Sequence, residues 1–560
     1  MLESSSNSII SFIHQLNAQS DTLKAGVLFI ILLVLLNIID LLALWVNKAN
    51  KSFLNPFWQA MPFYLVLASP IFLFGFFAKI YLPVILLLLL IIILAETVSA
   101  FKFKNPLEGD MFAIIAVSSP KEIKEFVSNF SKPSTFIAAF IFLAVYLILI
   151  YYFCTMTYGL DAYTAIIGFL LTIPFIITVI RSYKKRKFYK AFTRNPVTNL
   201  IAGYVINAKE NHLLEKMAKK PQLPNNIHNL FNDNENFVGV IVVGESSSRS
   251  HYGLYGYPRD TTPNLSELQK EIYAFKDVIC AYCSTALAIR YAFTFANLKE
   301  LEPKCSLVDI LKSAGYEVLF ISNQYRWGKY DGPITLVFNN ANDIEFLTEK
   351  NRTSRDTDLV NRLEEILKTR KKKTIVIMQM IGSHIKYNCR YPEKFGPFND
   401  TKDNCNKNLA KNYAQLLNEY DNTIAYSDIV LSKMINTLKT LKAPSFLTYF
   451  SDHGETVEDG VNVFRSGKSK DPENYEIPFI VWLSEEYKKR FPELSDQIEK
   501  NTNNPIQTDN IIRGLSDLAG VRFDGFEDEK NIFSSQFKPI KRYMCAGEID
   551  YDGFKKRKSQ

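Results

Sequence analysis

The sequence predicts a helical membrane anchor of five helices followed by a soluble α/β domain with a doubly wound, mostly parallel sheet. Three observations carry this. Five apolar stretches, near 25–46, 57–79, 81–98, 135–154 and 164–181, all precede residue 182. After residue 195 no segment is long and apolar enough to cross a bilayer, and charge density rises. Beyond residue 236, short runs rich in Val, Ile and Phe alternate with segments of helical periodicity, as strands covered by helices on both faces do.

Each apolar stretch approaches the roughly 20 helical residues that a hydrocarbon core requires. The second and third are separated by little more than "AKIYLP". The N-terminus "MLESSSNSII" lacks the charged and apolar regions of a cleavable signal, so the first helix reads as a signal anchor. Residues 1–181 are thus the transmembrane domain. Next comes "RSYKKRKFYKAFTR", residues 181–194, with seven basic residues and no acid. Beside a membrane this reads as a contact with lipid headgroups. It accounts for much of the net charge of +8 and leaves no case for nucleic acid. By the positive-inside rule this stretch, with Lys48 and Lys51, would put the soluble domain in the cytoplasm.

Residues 182–235 read as a juxtamembrane bridging helix and linker, 236–545 as the globular domain and 546–560 as a solvated tail. Within the domain, 237–244, 316–322, 373–380 and 445–451 are expected strands; 306–315 and 412–441 are expected helices. Gly315 marks a helix end ahead of a strand. Of seven cysteines, Cys154 lies in the fourth span and six in the domain, a parity that suggests disulfides and an extracytoplasmic location. Cys389 and Cys405 are expected to pair, closing a loop of about 15 residues worth roughly 3 kcal/mol. The pairing of Cys280, Cys283, Cys305 and Cys545 stays open.

Ligands of such sheets bind outside the carboxyl ends of the strands. Three chemically loaded segments stand there: Glu245 after the first strand, "GSHIKY" (382–387) after another and "SDHGE" (451–455) after a third. Glu245, Asp452 and His453 supply two carboxylates and an imidazole, a set suited to Zn²⁺ or Mn²⁺. A hydroxyl near such an ion becomes a nucleophile. The candidates are Ser246, Ser247, Ser248, Ser284 and Thr285, the last two ahead of a helix whose N-terminus suits a phosphoryl group.

The stretches "VVGESSSRSHYGLYGYPRDTTPNL", "CSTALAIRYAFTFAN", "GSHIKYNCRYPEKFG", "YDNTIAYSD" and "SDHGE" together resemble the phosphoethanolamine transferases of Gram-negative bacteria, members of the alkaline phosphatase–sulfatase superfamily. The resemblance covers most of residues 237–485 and fits the five-span anchor. Through "GSHIKY…RYPE" and "ISNQ" it is nearer the branch acting on the lipopolysaccharide core than the lipid A branch. It implies an alkaline phosphatase/sulfatase-like fold, with Glu245, Thr285, Asp452 and His453 as zinc ligands and Thr285 as the nucleophile. His384 would stand at the donor phosphate as a proton carrier, with Asp421, Gln324 and Lys329 among the substrate contacts. Ser118 and Glu122 of "VSSPKE" resemble a loop that approaches the active site in the lipid A branch, although Ile114 stands where that branch has asparagine. That branch also has a histidine soon after SDHGE. The segment "TVEDGVNVFRSGKSK" has none, so a role at that place is either absent or taken by Arg465 or Lys468, which read equally as a solvated loop.

The resemblance implies phosphatidylethanolamine as donor, lipopolysaccharide (core sugar or lipid A) as acceptor, and a multi-pass protein of the bacterial inner membrane. The catalytic domain would then be periplasmic, against the charge rule. "CSTALAI" lacks the Pro and Arg that accompany a formylglycine nucleophile, which argues against a sulfatase activity. A glycerophosphotransferase and a non-catalytic membrane scaffold are the remaining alternatives.

Overall fold

The computed structural model describes residues 21–33, 54–74, 78–103, 144–145, 147–153, 155–156, 162–184, 196–232, 234–324, 332–348, 354–399, 411–457, 471–545 and 547–559. They divide into two compact units, one ending at Asn207 and one beginning at Ala208.

The first unit contains α1 (Leu54–Leu73), α2 (Ala78–Phe103), α3 (Ala162–Lys184) and the start of α4 (Pro196–Lys219). Among the described residues, α3 holds one stretch long and apolar enough to cross a membrane, Ala162–Arg181; α1 and α2 hold shorter ones, Met61–Leu73 and Ala78–Leu89. On α3, Ile166, Phe169 and Leu170 are exposed, an apolar face suited to lipid rather than water. α1 and α3 pack closely at Gly168, where a Cβ would lie 2.7 Å from Leu73 Cγ. The expected linker "AKIYLP" is instead helical, the opening of α2; the helix breaks earlier, at Phe74. Of the expected spans 25–46 and 135–154, residues 25–33 and most of 144–153 are described and helical, and the rest lies outside the described residues.

The second unit is built on seven strands: β1 (Phe237–Gly244), β2 (Ile272–Phe275), β3 (Glu317–Ser322), β4 (Asp343–Phe346), β5 (Lys373–Gln379), β6 (Ser445–Ser451) and β7 (Phe479–Leu483). Their order is β2-β7-β6-β1-β5-β3-β4. β1 is central and parallel to both neighbours, Val240 lying opposite Val376 and Leu447. β7 alone runs against the rest, antiparallel to β6 and β2. The sheet is therefore mixed.

Every residue of β1 is buried because helices cover both faces. Its alternate residues serve two cores. Phe237, Ile241 and Val243 join one cluster, to which α5 (Thr285–Phe293), α6 (Leu307–Ser313) and Leu214 and Met217 of α4 contribute. Val238, Val240 and Val242 face the other, built with α7 (Asp356–Thr369) and α8 (Lys411–Lys439). The stretch expected to be a solvated tail is helical from Tyr551 to Ser559, and Tyr551 is buried.

Candidate metal centre and nucleophile

β1 ends at Gly244, and Glu245 turns inward at 2% exposure. Ser246 takes a positive φ of 53°, an uncommon conformation for a residue with a Cβ. Local bonds hold it there. The Ser246 N–H donates to Asp452 Oδ1 at 3.0 Å and its hydroxyl to Glu245 Oε1 at 2.8 Å. The turn is braced further by Ser247 N–H to Ser451 Oγ (2.9 Å), and by Tyr420, whose hydroxyl donates to Ser246 O (2.8 Å) and accepts from Ser248 N–H (2.9 Å).

The neighbouring strand β6 delivers the next two groups. Ligand atoms of Glu245, Asp452 and His453 all lie within 4.8 Å of one another. His453 Nε2 is 3.6 Å from both Glu245 Oε1 and Asp452 Oδ2. Its Nδ1 donates to Gly454 O at 2.8 Å, which leaves Nε2 as the ring nitrogen toward the carboxylates. Asp452 Oδ1 accepts from the His453 and Ser246 N–H groups, whereas Oδ2 is buried without a hydrogen-bond partner. An orphaned carboxylate oxygen facing an imidazole nitrogen and a second carboxylate forms a donor set that could hold a metal ion.

The nucleophile candidate arrives on α5. Thr285 is its first residue and donates to Glu245 Oε2 at 3.1 Å and Oε1 at 3.3 Å. Of the five hydroxyls open from the sequence, Thr285 thus lies at the mouth of a helix beside the carboxylate. Ser247 and Ser248 are bound into the turn, the latter between the Glu455 backbone atoms at 2.6 and 2.7 Å.

β3 and β5 complete the rim. Gln324 donates to Glu245 Oε2 at 2.7 Å and to Met380 O at 3.0 Å. Gly382 has φ 46°, and a Cβ there would stand 2.8 Å from Glu245 O; this close approach lets Ser383 N–H reach Glu245 O at 2.9 Å. His384 follows, its carbonyl and Nδ1 facing the Arg390 guanidinium at 3.0 and 3.5 Å.

The electrostatics depend on the crowding. Burial, then Asp452, pushes the Glu245 carboxyl up. Burial would lower His453, but Asp452 and Glu245 raise it to about 9. His384 is pushed down to about 4 by burial, with Arg390 and His453 adding to it and Glu245 opposing, so it is neutral at neutral pH. A dication would relieve the carboxylate repulsion and displace the protons.

Asp421 is not part of this cluster. It lies in a separate buried set, accepting from His251 Nδ1 (2.8 Å), Arg259 (2.7 Å) and Tyr257 (2.9 Å). Ser118, Glu122, Lys329, Arg465 and Lys468 lie outside the described residues. Cys389 is exposed, and Cys405, its expected disulfide partner, lies outside the described residues. Asp356, at the start of α7, carries no motif in the sequence that marks its role. Its carboxylate accepts from the Ile381 and Gly382 N–H groups, both at 2.9 Å, and from Asn323 at 2.7 Å, tying β3 and β5 together at the site.

The sulfatase family profile matches residues 238–521, half of the chain, from the start of β1 to beyond β7. The chain belongs to the sulfatase family. Within it, the chain is 33% identical over 331 residues to phosphoethanolamine transferase EptC of Escherichia coli K12, covering 56% of this chain and 57% of that protein. It is 31% identical over 331 residues to phosphoethanolamine transferase CptA of Salmonella typhimurium, with the same coverage. The match thus spans little more than half the length of these relatives. Among solved structures, the C-terminal periplasmic domain of EptC from E. coli, in complex with Zn, is 30% identical with a TM-score of 0.55 over 59% of this chain and 97% of that one. The integral membrane lipooligosaccharide phosphoethanolamine transferase A of Neisseria meningitidis shares the fold over 90% of this chain and 97% of that one, with a TM-score of 0.63 at 21% identity. Over this domain the chain is thus similar to phosphoethanolamine transferases of Escherichia coli and Salmonella typhimurium.

Proposed function

We propose that this chain transfers phosphoethanolamine from phosphatidylethanolamine to lipopolysaccharide, with Thr285 as the nucleophile. One observation carries the reading: the Thr285 hydroxyl meets Glu245 at 3.1 Å at the first turn of α5, beside the unpartnered Asp452 Oδ2 and His453 Nε2. Glu245, Asp452, His453 and Thr285 Oγ1 would hold zinc. Bound there, zinc supplies Lewis acidity, lowering the hydroxyl pKa and countering phosphoryl charge.

The residues supply the rest. Thr285 Oγ1 attacks phosphorus as its hydroxyl proton is removed, the P–O bond to diacylglycerol breaks, and that proton is returned to the departing oxygen, which leaves as the alcohol. Phosphoethanolamine stays on Thr285 as a phosphothreonine. A core-sugar hydroxyl or a lipid A phosphate oxygen then attacks the same phosphorus and releases Thr285. His384 would carry the proton of the attacking group or donate its N–H to a phosphoryl oxygen, and its neutrality, caused by burial, favours the second role. The main-chain N–H groups at the start of α5 favour negative charge at Thr285.

The reading includes a multi-pass anchor of five spans in the bacterial inner membrane and a periplasmic domain, so that lipid donor and lipid-linked acceptor reach one site. The test is mass spectrometry of lipopolysaccharide from cells with and without the protein. An added phosphoethanolamine, lost in Thr285→Ala, is the expected outcome; unchanged lipopolysaccharide in both would refute it.

A further inference from the structure

The Arg290 side chain is fully buried on α5, five residues after Thr285. A guanidinium in an apolar interior is tolerated only where a carboxylate and hydrogen-bond acceptors meet it. Here Glu210 Oε2, on the part of α4 within the second unit, lies 3.0 Å from Arg290 Nη1, and Nη2 donates to the Leu301 carbonyl. Five residues turn a helix by about 500°, so Arg290 projects roughly opposite to Thr285. Around it α5 is held by apolar contacts through Ile289, Ala292 and Phe293, which resist separation more than rotation or sliding. The ion pair with Glu210 and the Nη2 hydrogen bond to the Leu301 carbonyl are the polar contacts on that side.

We infer that Glu210 and Arg290 are positioning residues: from behind, they fix the rotation and axial position of α5, and thereby the Thr285 hydroxyl against Glu245. The inference rests on Thr285 being the nucleophile. An arrangement correct to well under 1 Å matters to rate because small displacements of an attacking atom are costly. Substrate affinity, set by groups elsewhere on the rim, should be insensitive.

The experiment uses the full-length protein in detergent with phosphatidylethanolamine and lipopolysaccharide. Variants are Arg290→Lys, Arg290→Met and the double variant Glu210→Leu/Arg290→Met, which leaves no unpaired buried charge and so keeps the fold. The expected result for the double variant is a kcat lowered at least tenfold with KM within twofold of wild type. Amide hydrogen exchange should quicken in α5 and stay unchanged in β1, and Arg290→Lys should recover part of kcat. A double variant with wild-type kcat and wild-type exchange in α5 overturns the inference and makes the pair a packing feature. Should the wild-type protein transfer nothing, the functional reading fails. Exchange in α5 then decides on its own whether the pair holds the helix.

Discussion

At the scale of single residues, the site sets two carboxylates side by side, and burial with the neighbouring Asp452 pushes the Glu245 carboxyl up. Glu245→Gln preserves shape but removes a charge, so zinc content and transfer should fall together. The loss should exceed the roughly 10- to 100-fold typical of a group one shell further out. Metal analysis of the purified protein alongside transfer kinetics checks this. Thr285→Ala should stop transfer while Glu245, Asp452 and His453 retain part of the metal, because those three still converge. His251 offers a test away from the chemistry. Burial would lower its pKa, but Asp421 at 2.8 Å and Glu473 at 3.6 Å raise it to about 9. The folded-state value lies above the unfolded one of about 6.5. Its contribution is therefore complete below pH 6.5 and lost as pH rises through 9. Urea unfolding followed by tryptophan fluorescence should show stability falling between pH 6 and pH 9.5 by on the order of 3 kcal/mol. His251→Gln should flatten that slope.

At the scale of elements, the loop after β5 depends on Gly382. An alanine there meets both a positive φ and the Glu245 carbonyl at 2.8 Å. Gly382→Ala should destabilise the protein by about 1–3 kcal/mol, visible as a lower melting temperature. It should also lower transfer through a displaced His384. The sequence makes β1, β5 and β6 readable because their continuous apolar runs are buried on both faces, and it makes Glu245, Asp452 and His453 readable because strand ends carry ligands. β2 and β4, four residues each and only partly buried, carry too little pattern to stand out. β7, "FIVWL", has the pattern, but nothing local marks it as antiparallel. Asp356 and Arg290 were hidden for another reason: their roles come from partners distant in the chain. The "YDN" segment shows the same effect, for Tyr420 braces the site turn whereas Asp421 binds His251.

At the scale of the whole molecule, the last helix closes the domain. Tyr551 donates to Glu476 at 2.6 Å, Lys555 reaches the same carboxylate at 2.9 Å, and Glu476 also holds Arg249 at 3.1 Å, close to the site turn. Truncation before Tyr551 should cost about 2–3 kcal/mol from the buried ring alone, read as a lowered melting temperature. A C-terminal reporter active only in the periplasm should be active; a cytoplasm-specific reporter active instead would reverse the proposed orientation. The central place of β1 bears on how the protein is made. Ser246 and its partner Asp452 are 206 residues apart, and β1 lies between two strands that are both synthesised much later. A ribosome-bound chain that ends before β6 therefore has its glutamate but no cage for an ion. Arrested nascent chains of that length should capture no zinc, so the metal would be acquired in the compartment where the finished domain folds.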